Sequence, residues 1–173
     1  MLKSLTLKHW IVGALVLILS FTITLWLTKP EAPPEDMIKL LAGAAVTDEA
    51  SLNAAARTAG LQYSSYVKWN VDALSRVEAN QVSIAGWAVE TLAAITARGA
   101  PINVMAFSGG RRIFGVQTKG ERPDVTSALN LSEEAAKNVA FEGRLECSPG
   151  EKLLIVGATL SGTYALLATK SCP

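Results

Sequence analysis

Hydrophobic positions along the chain follow three patterns in succession. From Trp10 to Leu27, "WIVGALVLILSFTITLWL", there is no charge and every helical face is apolar. From Asp36 to Gly60, alanine-rich stretches alternate with polar residues. From Leu61 onward, short apolar runs are broken by Gly, Pro, Asn and Ser turns. These patterns predict, in order, a membrane span, two short helices and a set of β-strands.

The first run is long enough for a bilayer: at about 1.5 Å per residue it covers roughly 27 Å. Trp10 and Trp26 bracket it as interfacial aromatics do. A cleaved leader has a shorter apolar core and small residues at its cut site, and "LWLTKPEAPP" lacks them. Residues 1–28 therefore read as a cytoplasmic stub and a single transmembrane helix. Lys3 and Lys8 precede the span, while Lys29 is soon followed by Glu31, Glu35 and Asp36. The positive-inside rule then puts the N-terminus in the cytoplasm of a bacterial inner membrane and the rest in the periplasm.

Residues 29–36, "KPEAPPED", read as an extended Pro-rich linker. Residues 37–60 read as a short helical region. Asp36 is the expected N-cap of the first helix and Thr47 of the second, with Gly60 as the stop. Residues 61–173 read as a β-domain. "PINVMAFS-GG-RRIFGVQTK" predicts a hairpin turning at Gly109-Gly110. "NVAFEGRLEC-SPGE-KLLIVGATL" predicts a second about Pro149-Gly150, and "KLLIVGATL-SG-TYALLATK" a third about Ser161-Gly162. In "GERPDVTSALNLSEEAAKN", Asp124 is expected to cap Val125–Asn130 and Ser132 to open a further turn. The fold class is mainly β: an antiparallel β-sandwich behind one N-terminal transmembrane helix and short Ala-rich helices.

Several strands are apolar on both alternating faces. Leu153, Ile155 and Gly157 oppose Leu154, Val156 and Ala158. In the first hairpin, Val104, Ala106 and Ile113 share one face, and Met105, Phe107, Phe114 and Val116 the other. A strand with one wet face alternates cleanly, so these strands expect two covers. One is the facing sheet; the other is either the Ala-rich helices or another protein. In "VSIAGWAV", Gly86 expects close approach by neighbouring chain. Trp87 expects either a place over the core or exposure for stacking on a sugar.

The ordered set "IAGWAV", "PINVMAFSGGRR", "RPDV", "AFEG" and "PGEKLLIVGA" resembles a small β-sandwich accessory module of bacterial envelope proteins, often appended to glycosyltransferases. The resemblance covers about residues 70–170. It departs at Ala140-Phe141, where the module prefers Gly-Phe, and at "WAVE". It implies an accessory β-domain. No transferase domain accompanies it, so no catalysis carries over.

The chain has 173 residues, with 16 basic and 15 acidic side chains. Setting aside Lys3 and Lys8, the exported part is nearly neutral and has no basic stripe, so no nucleic-acid partner is expected. The single histidine is His9, on the cytoplasmic side. The exported part thus has no His base, triad or imidazole metal ligand. A non-catalytic protein without cofactor or metal is expected. Cys147 and Cys172 are expected to form a disulfide in an oxidising compartment. Two strand spacings are nearly 10 Å, too far for a bridge. Either the tail curls over or the two strands lie in different sheets.

Trp69, Trp87, Arg122 and Asp124 are the candidate ligand or partner contacts. Arg122 and Asp124 either clasp a polar ligand or serve structure, Asp124 as a helix cap and Arg122 in a pair with a nearby carboxylate or carbonyl. The expected function is that the exported domain docks onto another envelope protein or membrane complex; the alternative is that it binds carbohydrate during surface-polysaccharide assembly. Exposure of Trp69 or Trp87 beside Arg122 favours the carbohydrate.

Overall fold

The computed structural model describes residues 34–91 and 100–173. The expected membrane span, with Trp10 and Trp26, lies outside the described residues. Among the described residues no helix is long and apolar enough to cross a membrane.

The first helix, α1, runs Pro34–Ala42. It starts ahead of the expected Asp36 cap and takes in the end of the expected linker. Pro34 suits a first helical position because the amide it lacks has no partner there. Glu35 and Asp36 then fall in the first turn, where carboxylates oppose the helix dipole. The second helix, α2, runs Glu49–Thr58, and its N-cap is Asp48 rather than Thr47. The Asp48 carboxylate accepts the Ser51 N–H at 2.8 Å, and Ser51 Oγ accepts the Asp48 N–H at 3.0 Å. This reciprocal box satisfies two otherwise orphaned amides. Thr47 is left to donate its own N–H to Ser51 Oγ at 2.9 Å.

Among the described residues eight strands follow: β1 Gln62–Tyr63, β2 Val67–Glu78, β3 Gln81–Glu90, β4 Ile102–Ser108, β5 Arg111–Gln117, β6 Ala140–Glu146, β7 Lys152–Thr159 and β8 Thr163–Ser171. Two further helices, α3 Pro123–Leu129 and α4 Glu133–Ala136, lie between β5 and β6. Ser132 caps α4 as expected, accepting the Ala135 N–H at 3.3 Å.

The strands form a five-stranded sheet, β1-β8-β7-β4-β5, and a three-stranded sheet, β2-β3-β6. All pairings between these strands are antiparallel except that of β1 with β8. Val82, Ile84 and Ala88 of one sheet share a buried core with Val104, Ala106, Leu153 and Ile155 of the other. The domain is therefore mainly β, with two sheets packed around one core.

The first and third hairpins form as expected. Gly109 and Gly110 both take positive φ, 54° and 81°, as a tight primed turn requires. The second hairpin does not form. The Ser148–Glu151 turn is present, with the Glu151 N–H on the Ser148 carbonyl at 3.0 Å. Yet β6 pairs with β3, and β7 pairs with β4 and β8. The burial patterns explain the split. In β6, Phe141 and Leu145 are buried while Glu142 and Arg144 are exposed, which suits a sheet with one wet face. β7 is buried on both faces and takes a central place in the doubly covered sheet.

That second cover is the protein's own. Met105, Phe107, Leu154, Val156, Ala158 and Tyr164 pack against Leu41, Val46, Leu52, Ala56 and Leu61 of the α1–α2 layer. The Tyr164 hydroxyl donates to Asn53 Oδ1 of α2 at 2.7 Å, pinning the layer. Phe114 and Val116 are a correction. The register pairs them with Ala106 and Val104, and they pack with that pair in the inter-sheet core, not with Met105 and Phe107. A bulge at Ala106/Phe107 shifts the alternation between the two strands.

Cys147 and Cys172 form a disulfide with Cα atoms 6.3 Å apart. Cys147 follows β6 and Cys172 follows β8, so the bridge joins the ends of the two sheets. Cys147 also donates its N–H to the Asn80 carbonyl, and Cys172 to that of Glu151.

Candidate functional site

Arg122 is the N-cap residue of α3, with Pro123 at the first helical position. Asp124 lies inside the helix and is not its cap. Its carboxylate instead takes the Arg122 guanidinium side-on, from Nε at 2.9 Å and Nη2 at 2.7 Å. Nη1 of the same guanidinium donates to Asp72 of β2, and Asp72 also accepts the Asn70 amide at 2.6 Å. The hydrogen bonds the guanidinium donates to Asp124 first and Asp72 second push the Arg122 pKa further up. Arg122 in turn holds the Asp124 carboxyl below its usual range. Each planar group satisfies the other. The clasp ties α3 to β2 and leaves little of Arg122 for a ligand.

Trp87 stands across from Asn70 in the β2–β3 register. It does not lie over the inter-sheet core. It sits on the outer face of the three-stranded sheet, half-buried with Val89, Leu129, Leu131 and Ala135 under α3 and α4. Its neighbour Gly86 faces inward. A Cβ there would lie 2.2 Å from the Asn70 carbonyl and 2.8 Å from the Phe141 ring. The strand needs glycine at its centre so that the β2 backbone and an aromatic ring can close over it.

Trp69 has the opposite environment. It is 37 % exposed, and Tyr66 and Tyr63 just before it are 53 % and 68 % exposed. These three aromatics lie where the chain passes from β1 in one sheet to β2 in the other. Tyr63 rests edge-on against Tyr164, ring centres 6.0 Å apart. The Tyr66 carbonyl accepts both the N–H and the hydroxyl of Thr91, at 2.9 and 2.8 Å, which fixes the turn. Of the two candidate tryptophans, Trp69 is the exposed one, at 37 %, on the strand to which Arg122 is clasped.

A second feature lies at the disulfide end. β5 and β6 are the edge strands of their sheets, and near them opens a cleft of about 600 Å³. Arg111 and Arg112 line it from β5, Arg144 and Glu146 from β6, Gln81 from β3, and Glu151 from the turn before β7. Hydrogen bonds from the Ser108 hydroxyl and then the Ser148 N–H hold the Glu151 carboxyl below its ordinary value, and the Arg111 charge adds to this. The sequence pattern missed this cleft. "GGRR" and the alternation around Arg144 are visible in it, but pairing β6 with β7 hides that β5 and β6 border one cleft.

Among the described residues no group of three or more His, Cys, Asp or Glu side chains is placed to hold a metal ion. Fold and surfaces together define a disulfide-linked, two-sheet β-domain with an aromatic edge and a polar cleft. Comparison with protein-family models, with curated proteins and with solved structures finds no match in any of the three.

Proposed function

We propose that this is a non-catalytic protein of the bacterial envelope whose β-domain binds saccharide, in an accessory role in surface-polysaccharide assembly. The charge-free run Trp10–Leu27 is its single anchor in the inner membrane, and the domain occupies the periplasm. The Cys147–Cys172 disulfide fits that oxidising compartment. The resemblance to modules appended to envelope glycosyltransferases supports the same assignment.

The observation that carries the reading is the exposed edge of Tyr63, Tyr66 and Trp69. Aromatic faces at a wet surface offer a sugar ring an apolar plane while its hydroxyls keep their water. Docking through an uncovered face of the five-stranded sheet has lost its ground, because α1 and α2 cover that face. The test is calorimetric titration of the full chain, solubilised in non-ionic detergent, with a panel of neutral and acidic oligosaccharides. Trp69→Ala is expected to weaken binding about tenfold, or ~1.4 kcal/mol. A panel that yields no binder, or a Trp69→Ala protein that binds as well as wild type, overturns the reading.

Docking onto another envelope protein is the second reading. It has one specific support: Leu40 is 58 % exposed beside a shallow groove lined by Ala44, Ala54, Ala55 and Ala59 on the α1–α2 layer. Affinity purification of wild type and Leu40→Asp from native membrane distinguishes them. A partner held by wild type and lost from the variant establishes it.

A further inference from the structure

We infer that the cleft at the disulfide end binds the carboxylate-bearing unit of an acidic saccharide. This inference rests on the saccharide reading and adds to it a second contact point and a ligand class. Arg111, Arg112 and Arg144 all line the cleft, and none of them takes part in an ion pair among the described residues. Arg122 shows what a satisfied arginine looks like in the same domain: its fork is filled by two carboxylates. Three unfilled forks around one cleft are a receptor for a planar, two-oxygen anion.

Two further observations narrow the ligand. Gln81 Oε1 is buried at this cleft and meets no donor from the protein. A bare carboxylate or phosphate would set acceptor against acceptor there; a sugar hydroxyl beside the carboxylate supplies the hydrogen. Glu146 and Glu151 also line the cleft, so its side chains carry three positive charges against two negative. That balance suits one negative charge per unit with hydroxyls donating to the glutamates. It disfavours a phosphate dianion or a densely anionic lipid surface. The cleft volume, about 600 Å³, is within the range that holds small ligands.

Position relates the cleft to the aromatic edge. Gln81 opens β3, and Trp69 pairs with Ala88 near its far end. Seven residues at ~3.3 Å put the two about 23 Å apart along the strand. A polymer touching both would be held at two points, which raises its affinity over that of a short fragment.

The experiment titrates the solubilised full chain with an oligouronate and with the same oligomer methyl-esterified. We expect the acid to bind about tenfold more tightly. That preference is expected to vanish in Arg112→Gln/Arg144→Gln and to shrink in high salt. Arg144→Lys, which keeps charge but loses the fork, is expected to lose part of it. Trp69→Ala is expected to weaken acid and ester alike. If acid and ester bind equally, or the double variant keeps the preference, the cleft assignment falls and the saccharide reading stands. If inorganic phosphate at millimolar concentration displaces the acid, the site is a bare anion site and the assignment falls. If neither oligomer binds, both fall.

Discussion

The two sheets face the outside in different ways. The outer face of the five-stranded sheet is sealed over its central strands: Phe107, Leu154 and Val156 are at most 2 % exposed beneath Leu41 and Leu52. The outer face of the three-stranded sheet is covered only at one end. Trp87 and Val89 lie under α3 and α4, but Ser75, Glu142 and Arg144 are exposed and Ser83 is half-buried. The difference follows from strand composition. β4 and β7 carry apolar side chains on both faces, which water penalises by roughly 25 cal/mol per Å². β3 and β6 alternate, so their polar face is stable wet. Recognition chemistry is left to the wet face and its margins, where polar groups are free to meet a ligand.

The largest expected effect tests the seal. Leu52 of α2 is fully buried against the five-stranded sheet. Truncating Leu52→Ala removes its contacts and leaves a cavity between layers. It is expected to cost about 3 kcal/mol in urea unfolding of the full chain. If α1 and α2 were a detachable flap, the loss would be well under 1 kcal/mol and the contrast between the faces would disappear.

Much of this contrast was legible from the chain. Two-sided apolarity in 152–160 announces a double cover, and the stretch "VSIAGWAV" falls inside β3. The turn glycines 109, 110 and 162 reverse the chain where expected. What could not be read was which sheet receives each strand. The Pro149-Gly150 turn fixes a local reversal, but pairing depends on distant partners: Phe141 needs the notch at Gly86, and the Phe114 ring fills the space beside Gly143. The arginine cleft was hidden for the same reason, since it exists only once β5 and β6 are edges of different sheets. Arg122 and Asp124 stand out in the sequence, but with Asp124 as a cap and not as the partner of Arg122, and Asp72, fifty residues earlier in the chain, carries no local signal of its part in the clasp.

A smaller effect probes the covered end of the three-stranded sheet. Trp87 packs, with Leu129 and Leu131, against Val89 and Ala135 yet keeps part of its surface in water. Trp87→Ala is expected to cost about 2 kcal/mol, below the 3–5 kcal/mol of a fully buried tryptophan. A cost near 4 kcal/mol would mean that this end is as closed as the opposite sheet.

The smallest effect concerns the clasp that holds α3 against β2. Asp124 is exposed, and the Arg122 guanidinium keeps its carboxyl below the ordinary value near 3.8. A carboxyl that binds protons less well folded than unfolded stabilises the fold at high pH. That contribution is complete above the unfolded value and disappears as pH falls through the lower folded one. Wild type is therefore expected to melt slightly above Asp124→Asn at pH 7, with the gap closing as pH is lowered below about 4. A gap that persists at pH 2 would assign the effect to helix packing and not to charge. A gap absent at every pH would mean that Asp72 alone holds Arg122. In that case the cover over Trp87 rests on β2, and Asp124 is free to meet ligand beside the open face.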